Sequence, residues 1–333
     1  MLKKQELTSL FQSFNKLKIL VIGDVMVDSY LFGKVNRISP EAPVPVVAVT
    51  KKENRLGGAA NVALNIKAMG ASPIICSVVG NDFYGKEFIQ QLKKVSIIDT
   101  GMVVSTKRIT TVKTRVIGNN HQMLRVDEEQ TSDLSKNDTE ALLKKINTLI
   151  QKEKPNAILF EDYDKGCITP LLIEKILKLA KQKSIAVVVD PKKNNFFNYN
   201  DVAFFKPNLK ELQDGLKKDI DVSNKKELAT AVTQLIKKIN CKTAMITLSE
   251  HGVYIASSKK AETIPAHIRS IADVSGAGDT VISIAALCTA LQLDTHTTAQ
   301  LSNIAGGLVC EKVGVVSINK EELFTEAVRL LSK

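Results

Sequence analysis

Asp273, Val274, Ser275, Gly276, Ala277, Gly278, Asp279 and Thr280 stand together in this chain, directly ahead of an apolar run with helical spacing, Val281 to Leu291. Gly276, Ala277 and Gly278 are small enough to let the backbone come close to a ligand. Their N–H groups lie near the first turn of that helix, where free donors and the positive end of the dipole favour an anion. Asp279 then puts a carboxylate where the anion is expected. That placement makes sense if the carboxylate takes a proton from a hydroxyl attacking a phosphoryl group. The plainer reading is a capped loop-to-helix junction in which Asp279 stabilises the dipole, and short glycine motifs recur by chance. The octet alone leaves both open.

Further candidates lie elsewhere. Gly57, Gly58 and Asn61 form a second glycine turn entering a helix, with an amide in the first turn that can bind a sugar hydroxyl. Tight helix-to-sheet packing is the alternative. Asp28, shortly after the first strand, could accept hydrogen bonds from a polyol, although a lone post-strand Asp is more often a turn residue. Asn208 and Glu211, three apart at a helix start, could organise hydrated Mg2+ beside phosphates; alone they read equally as a capping box. Lys192 follows a strand end at Asp190. Thr247, Ser249 and Gly252 end another strand with groups suited to nucleotide phosphates. Gly80 to Glu87 nearly spells a Walker A loop, but Glu87 stands where Ser or Thr should hold Mg2+, so that reading is set aside. The four histidines form no cluster, and His-x-Gly-His is absent.

The elements that must position these residues alternate. Near-continuous apolar strands at Lys18 to Gly23, Pro73 to Val79, Asn156 to Phe160, Ile185 to Asp190, Val202 to Phe205 and Thr243 to Leu248 are interleaved with helical patterns. The helices are expected at Gly58 to Met69, Gly85 to Lys94, Pro170 to Lys183, Lys225 to Ile239, Thr297 to Lys312 and Lys320 to Leu331. Met1 to Phe14 reads as a short amphipathic helix without a signal-peptide core. This is the pattern of an α/β fold: a doubly wound, mostly parallel sheet covered on both faces. Tyr30 to Thr50 and Thr100 to Val126 read as β without helices, and are expected to form a small β lid. One domain, 1–333, with lid segments near 30–50 and 100–126, is the expected organisation.

Composition narrows the classes. At 333 residues, with 44% hydrophobic and 24% charged residues, the chain is an ordinary globular protein. No apolar run approaches the length of about 18 that would cross a membrane, and no membrane partner is expected. Five scattered cysteines give no zinc spacing and fit reduced core thiols in a cytoplasm. The net charge of +11 is spread over helix faces without interleaved aromatics, so nucleic acid is not the expected partner.

Taken together these motifs resemble the ribokinase-like sugar kinases, the phosphofructokinase B family. Gly57 to Asn61 matches its G-G-x-x-N turn, Asp273 to Asp279 its D-x-x-G-A-G-D signature, Gly80 to Gly85 its G-x-D-x-x-G step, and Asn208 to Glu211 its N-x-x-E pair. The order is the family's, across nearly the whole chain. Ile284 departs from the small residue common in the second signature, a packing matter. More narrowly, GDVMVDSYLFGKVNRISPEAPVPVV (Gly23 to Val47), NNHQMLRVD (Asn119 to Asp127) and EDYDKG (Glu161 to Gly166) are similar to kinases of D-glycero-β-D-manno-heptose 7-phosphate. Some of these stand alone and some are half of a bifunctional enzyme; the chain length points to the stand-alone form.

The resemblance implies a role for each candidate. Asp279 is the general base, and the N–H groups of Gly276, Ala277 and Gly278 stabilise the transferred phosphoryl group. Asp28, Gly57, Gly58 and Asn61 hold the sugar. Lys192, Arg125 or Arg37 grips the substrate's own phosphate. Asn208 and Glu211 organise Mg2+, and with Thr247, Ser249, Gly252 and Asn303 they line ATP. K+ sits near the anion loop in some members. The lid pairs between subunits of a homodimer, and the product feeds ADP-heptose and lipopolysaccharide core synthesis. Another sugar kinase of this fold and a non-catalytic sensor remain the alternatives.

Overall fold

The computed structural model describes residues 3–267 and 269–332. Met1 and Leu2, the start of the expected N-terminal helix, lie outside the described residues. The strands are β1 (Lys18–Gly23), β2 (Val25–Ile38), β3 (Pro45–Gly58), β4 (Ser72–Gly80), β5 (Ile98–Ser105), β6 (Val112–Gly118) and β7 (His121–Glu128). They continue as β8 (Ala157–Glu161), β9 (Ala186–Asp190), β10 (Phe204–Phe205), β11 (Thr243–Thr247), β12 (Val253–Ser257) and β13 (Ala261–Ile264). The helices are α1 (Lys4–Ser13), α2 (Ala59–Ala68), α3 (Phe83–Lys94), α4 (Lys136–Glu153) and α5 (Pro170–Gln182). They end with α6 (Leu209–Leu216), α7 (Lys225–Ile239), α8 (Ala277–Ala290), α9 (Thr295–Cys310) and α10 (Lys320–Leu331).

Nine strands form the main sheet in the order β13-β12-β11-β10-β9-β8-β1-β4-β5. It is parallel from β5 to β11 and closes with an antiparallel hairpin, β12–β13. The apolar strands are continuous because both faces are covered. Ile19 and Val21 of β1 join the core that includes α2, α8, α9 and α10, while Leu20 and Ile22 join the core under α4, α5 and α7. Alternate side chains point to opposite faces, so each face needs its own apolar set.

The second sheet has four strands, β3-β2-β6-β7. It leaves the main sheet at the carboxyl end of β1, where only Asp24 separates β1 from β2. In such sheets ligands sit beyond the carboxyl ends of the strands. The first lid segment is wider than expected, β2 starting at Val25 and β3 ending at Gly58, and the second starts later: Ile98–Ser105 pairs parallel with β4 as the edge of the main sheet, and the lid resumes at Val112. Composition marks a segment as β but does not say which sheet it joins. Ile38, Val49, Leu124 and Val126 of the lid are exposed apolar residues. Among the described residues no helix is long and apolar enough to cross a membrane.

Two further differences bear on the site. The helix expected from Val281 begins at Ala277, with Gly276 as its N-cap in the left-handed region at φ +79°. Gly278 and Asp279 are therefore helical, in the first turn. The segment before β8, for which no helix is expected, holds α4, capped by Ser135.

Candidate active site

Five strand ends meet below the lid. β8 ends on Glu161, β9 on Asp190, β10 is followed by Lys206, and β11 ends on Thr247. β1 ends on Gly23, where the chain runs so close to β8 that a Cβ on Gly23 would lie 2.1 Å from the Glu161 carbonyl oxygen. Helix α8 aims its N-terminus at this edge.

Asp279 is 6% exposed. Its Oδ2 accepts a hydrogen bond from Asn61 Nδ2 at 2.7 Å, and its Oδ1 accepts one from the Tyr163 hydroxyl at 2.6 Å. Burial raises its carboxyl to about 6; the Tyr163 and Asn61 hydrogen bonds act in the other direction. A carboxylate with that affinity is ionised at neutral pH yet basic enough to take a proton. Asn61, expected on the sugar, spends its amide on this carboxylate instead.

The anion loop differs in detail from the expected cradle. The Ala277 N–H donates to the Val274 carbonyl at 3.3 Å, a turn bond. Gly278 is open: the nearest foreign atom to a Cβ built there is Lys206 Nζ at 3.8 Å. Asp273 braces the loop, accepting from Ser275 N and Gly314 N, each at 2.9 Å.

Asp28 is buried on the lid and pairs with Arg115 Nη1 at 2.5 Å. Gly57 lies against it; a Cβ there would meet Asp28 Oδ2 at 2.1 Å. Gly58, at φ +60°, has the Asp24 carbonyl oxygen 2.4 Å from its own would-be Cβ and caps α2. Register puts Lys113 beside Asp28, and Arg125 beside Arg115. Partners in register share a sheet face, so Lys113, Arg115 and Arg125 stand together on that face, each paired with an acid: Arg115 with Asp28, Lys113 with Asp127 and Glu129, and Arg125 with Asp127. Arg125 is held by Asp127 at 2.9 Å. Arg37 is not part of this group. It is exposed near the far end of β2, roughly 30 Å from Asp28 at the usual rise per residue.

Gly57→Ala is accordingly expected to push the Asp28 carboxylate out of place and lower kcat/KM for the sugar about 100-fold, with KM for ATP little changed. Steady-state kinetics in each substrate checks this.

Lys192 does not join the lid cations. Its Nζ pairs with Glu211 Oε1 and lies 5.5 Å from the centroid of the Tyr163 ring. Burial opposes its charge, but Asp190 and Glu211 outweigh that and hold it firmly protonated. Asn208 and Glu211 form a complete capping box on α6, with both bonds at 2.8 Å. Asn208 also bridges to Thr247. Ser249 and Gly252 shape the turn between β11 and β12, Gly252 at φ +85°. Asn303 reaches over from α9 to the Pro265 carbonyl at 2.8 Å. Lys192, Asn208, Glu211 and Thr247 thus stand together at the ends of β9, β10 and β11.

Among the described residues no three His, Cys, Asp or Glu are grouped to hold a metal directly. With both Glu211 oxygens engaged, the spare acceptors are Asp190 Oδ1 and Glu161 Oε2, which are buried without a hydrogen-bond partner. Burial and the carboxylates of Asp190 and Asp279 push the Glu161 carboxyl well above its ordinary range. Such a set suits a hydrated cation held through water better than one bound directly. Lys206, 3% exposed, neutralises Asp190 at 2.8 Å. Tyr163, Glu161, Lys206 and Arg115 are the site residues that motif reading missed.

Residues 16–322 match the pfkB family of carbohydrate kinases. The chain belongs to that family. It is an ATP-dependent sugar kinase with a ribokinase-like fold. The bifunctional protein HldE of Desulfatibacillum aliphaticivorans is 36% identical over 313 residues, 93% of this chain and 63% of that protein. Its counterpart in Geobacter sulfurreducens is 35% identical over 323 residues, 97% of this chain and 65% of that protein. The chain thus spans less than two thirds of the length of these curated relatives. Escherichia coli phosphofructokinase-2 in complex with potassium superposes with a TM-score of 0.76 at 15% identity, covering 93% of this chain and 98% of that one. Arabidopsis thaliana ribokinase complexed with ribose and ATP gives 0.70 at 14%, covering 92% and 98%. At these identities the structural likeness is one of fold.

Proposed function

We propose that this kinase transfers the γ-phosphoryl group of ATP to the anomeric hydroxyl of D-glycero-β-D-manno-heptose 7-phosphate, giving the 1,7-bisphosphate. The observation that carries the chemistry is Asp279, buried in the first turn of α8 with each carboxylate oxygen hydrogen-bonded. The Gly23 to Val47 run and the 35–36% identity to the HldE proteins support the sugar.

In this reading Asp279 takes the hydroxyl proton while the Gly276 and Gly278 N–H groups stabilise charge on the transferred group. Asp28 binds sugar hydroxyls, and Arg115, Lys113 and Arg125 grip the 7-phosphate with bidentate or point-charge contacts. Asn208, Glu211, Thr247, Ser249, Gly252 and Asn303 line ATP, with Lys192 reaching its phosphates. Mg2+ would neutralise phosphate charge when bound, with the free oxygens of Asp190 and Glu161 orienting its waters. K+ beside the 273–276 loop is a further proposed ligand, on the example of phosphofructokinase-2. The exposed lid residues Ile38, Val49, Leu124 and Val126 suit pairing with a second copy in a homodimer. The product serves ADP-heptose and lipopolysaccharide synthesis in the cytoplasm.

The test is ADP release with Mg2+-ATP on heptose 7-phosphate, ribose, fructose 6-phosphate and free heptose. The expected result is a kcat/KM for heptose 7-phosphate at least about 100-fold above free heptose, since losing a charge-assisted phosphate contact costs that order. Preference for another sugar overturns the heptose reading and leaves the base in place.

A further inference from the structure

Tyr163 is fixed at three points. Its backbone N–H donates to Asp24 Oδ2 at 2.9 Å, and the same carboxylate takes the N–H groups of Lys165 at 3.2 Å and Cys167 at 2.9 Å. Asp24 is itself buried, so the loop leaving β8 is moored to the end of β1. The ring carries the Lys192 ammonium 5.5 Å from its centroid, and Lys192 is held by Glu211. The hydroxyl reaches Asp279 Oδ1 at 2.6 Å. A side chain bound at backbone, ring and tip has little freedom left, which is what aiming a second group requires.

The need for aiming follows from the surroundings. Asp279 faces Glu161 at the end of β8, Asp190 at the end of β9, Lys206 after β10 and Asn61 on α2. Two of those neighbours are acids and one is a cation already paired with Asp190. A buried carboxylate there tends to take up a proton unless donors are turned toward it.

We propose that Tyr163 is a positioning residue for the transfer step, its hydroxyl aiming Oδ1 of Asp279 at the acceptor hydroxyl and keeping that carboxylate in its proton-accepting form. The inference rests on the kinase reading above. It assigns Tyr163 no contact with the sugar; it acts through Asp279.

Tyr163→Phe keeps the ring, its Lys192 contact and the backbone bonds to Asp24, and removes only the donor. The first readout is carbon-13 NMR titration of labelled Asp carboxyls in the full chain, with the Asp279 signal assigned by its loss in Asp279→Asn. The Asp279 midpoint is expected to rise by about one pH unit or more, the scale of a hydrogen bond to a charged acceptor. The second is the kcat–pH profile with Mg2+-ATP and the accepting sugar. Its acidic limb should move up by the same amount, so that for a one-unit rise kcat drops about fivefold at pH 6 and about tenfold at pH 5, and recovers in alkali. A merely structural role lowers kcat at every pH without moving the limb. If Tyr163→Phe does not fold, 3-fluorotyrosine placed at 163 keeps the shape and strengthens the donor, and the midpoint should fall. An Asp279 midpoint unmoved in the folded variant overturns the proposal. The kinase reading fails separately, through a wild-type chain that turns over no sugar while the NMR midpoint still moves.

Discussion

Asp279→Asn is expected to lower kcat by about 100- to 10,000-fold, the range that one positioned base contributes, while the Kd for ATP changes less than about threefold. The substitution is nearly isosteric. Oδ1 still accepts from Tyr163, and Asn61 can turn its amide to meet the new NH2 group, so the hydrogen bonds of the site survive. What is lost is the capacity to hold a proton. The pH dependence separates this from a binding defect. Wild-type turnover requires the carboxylate, so kcat should fall as the pH drops through about 6, the value to which burial raises the group. The variant has no such limb. Calorimetric titration with ATP and a kcat–pH series on both proteins provide the check. Turnover near the wild-type level in Asp279→Asn would remove Asp279 as the base.

The buried carboxylate of Asp279 and its helix are legible because they are local. A glycine loop, an acid and an apolar helix adjoin in sequence, and only the start of the helix differs, at Ala277 and not Val281. The sheet was legible because strands buried on both faces are unbroken apolar runs. Helix α4 has its own signal in the sequence: Leu142, Ile146, Leu149 and Ile150 recur at helical spacing behind a Ser135 cap. Glu161, Asp190 and Lys206 are a different matter. Each is a single polar residue after a short apolar strand, and only the strand order β8-β9-β10 makes neighbours of them. Arg37 shows the converse. It lies in the same specific run as Asp28, but an extended strand carries it away from the site. Sequence proximity along a strand is spatial separation, and proximity in the site comes from crossovers that motif spacing does not encode.

That cluster of strand ends predicts the largest stability effect. Lys206→Met keeps the length and most of the volume of the side chain and removes the charge that faces Asp190 at 2.8 Å, with both side chains almost fully buried. Removing one partner of a buried pair leaves the other uncompensated and costs about 3–5 kcal/mol. Here the cost should sit toward the upper end, because Glu161 and Asp279 are acids close by. The sign of the pH dependence follows from Asp190. Burial already raises its folded-state proton affinity above the ordinary 3.8, with Lys206 pulling the other way. A group raised in the folded state destabilises as the pH climbs from its unfolded value to its folded one. Without Lys206 that interval extends upward, so Lys206→Met should lose more stability at pH 8 than at pH 5. Urea unfolding of both proteins at the two pH values measures it. Adding Asp190→Asn should restore much of the loss, since the double variant buries no unpaired charge at that position. If the pair were only an incidental contact, the single variant would unfold at the wild-type midpoint at both pH values and the second substitution would change nothing.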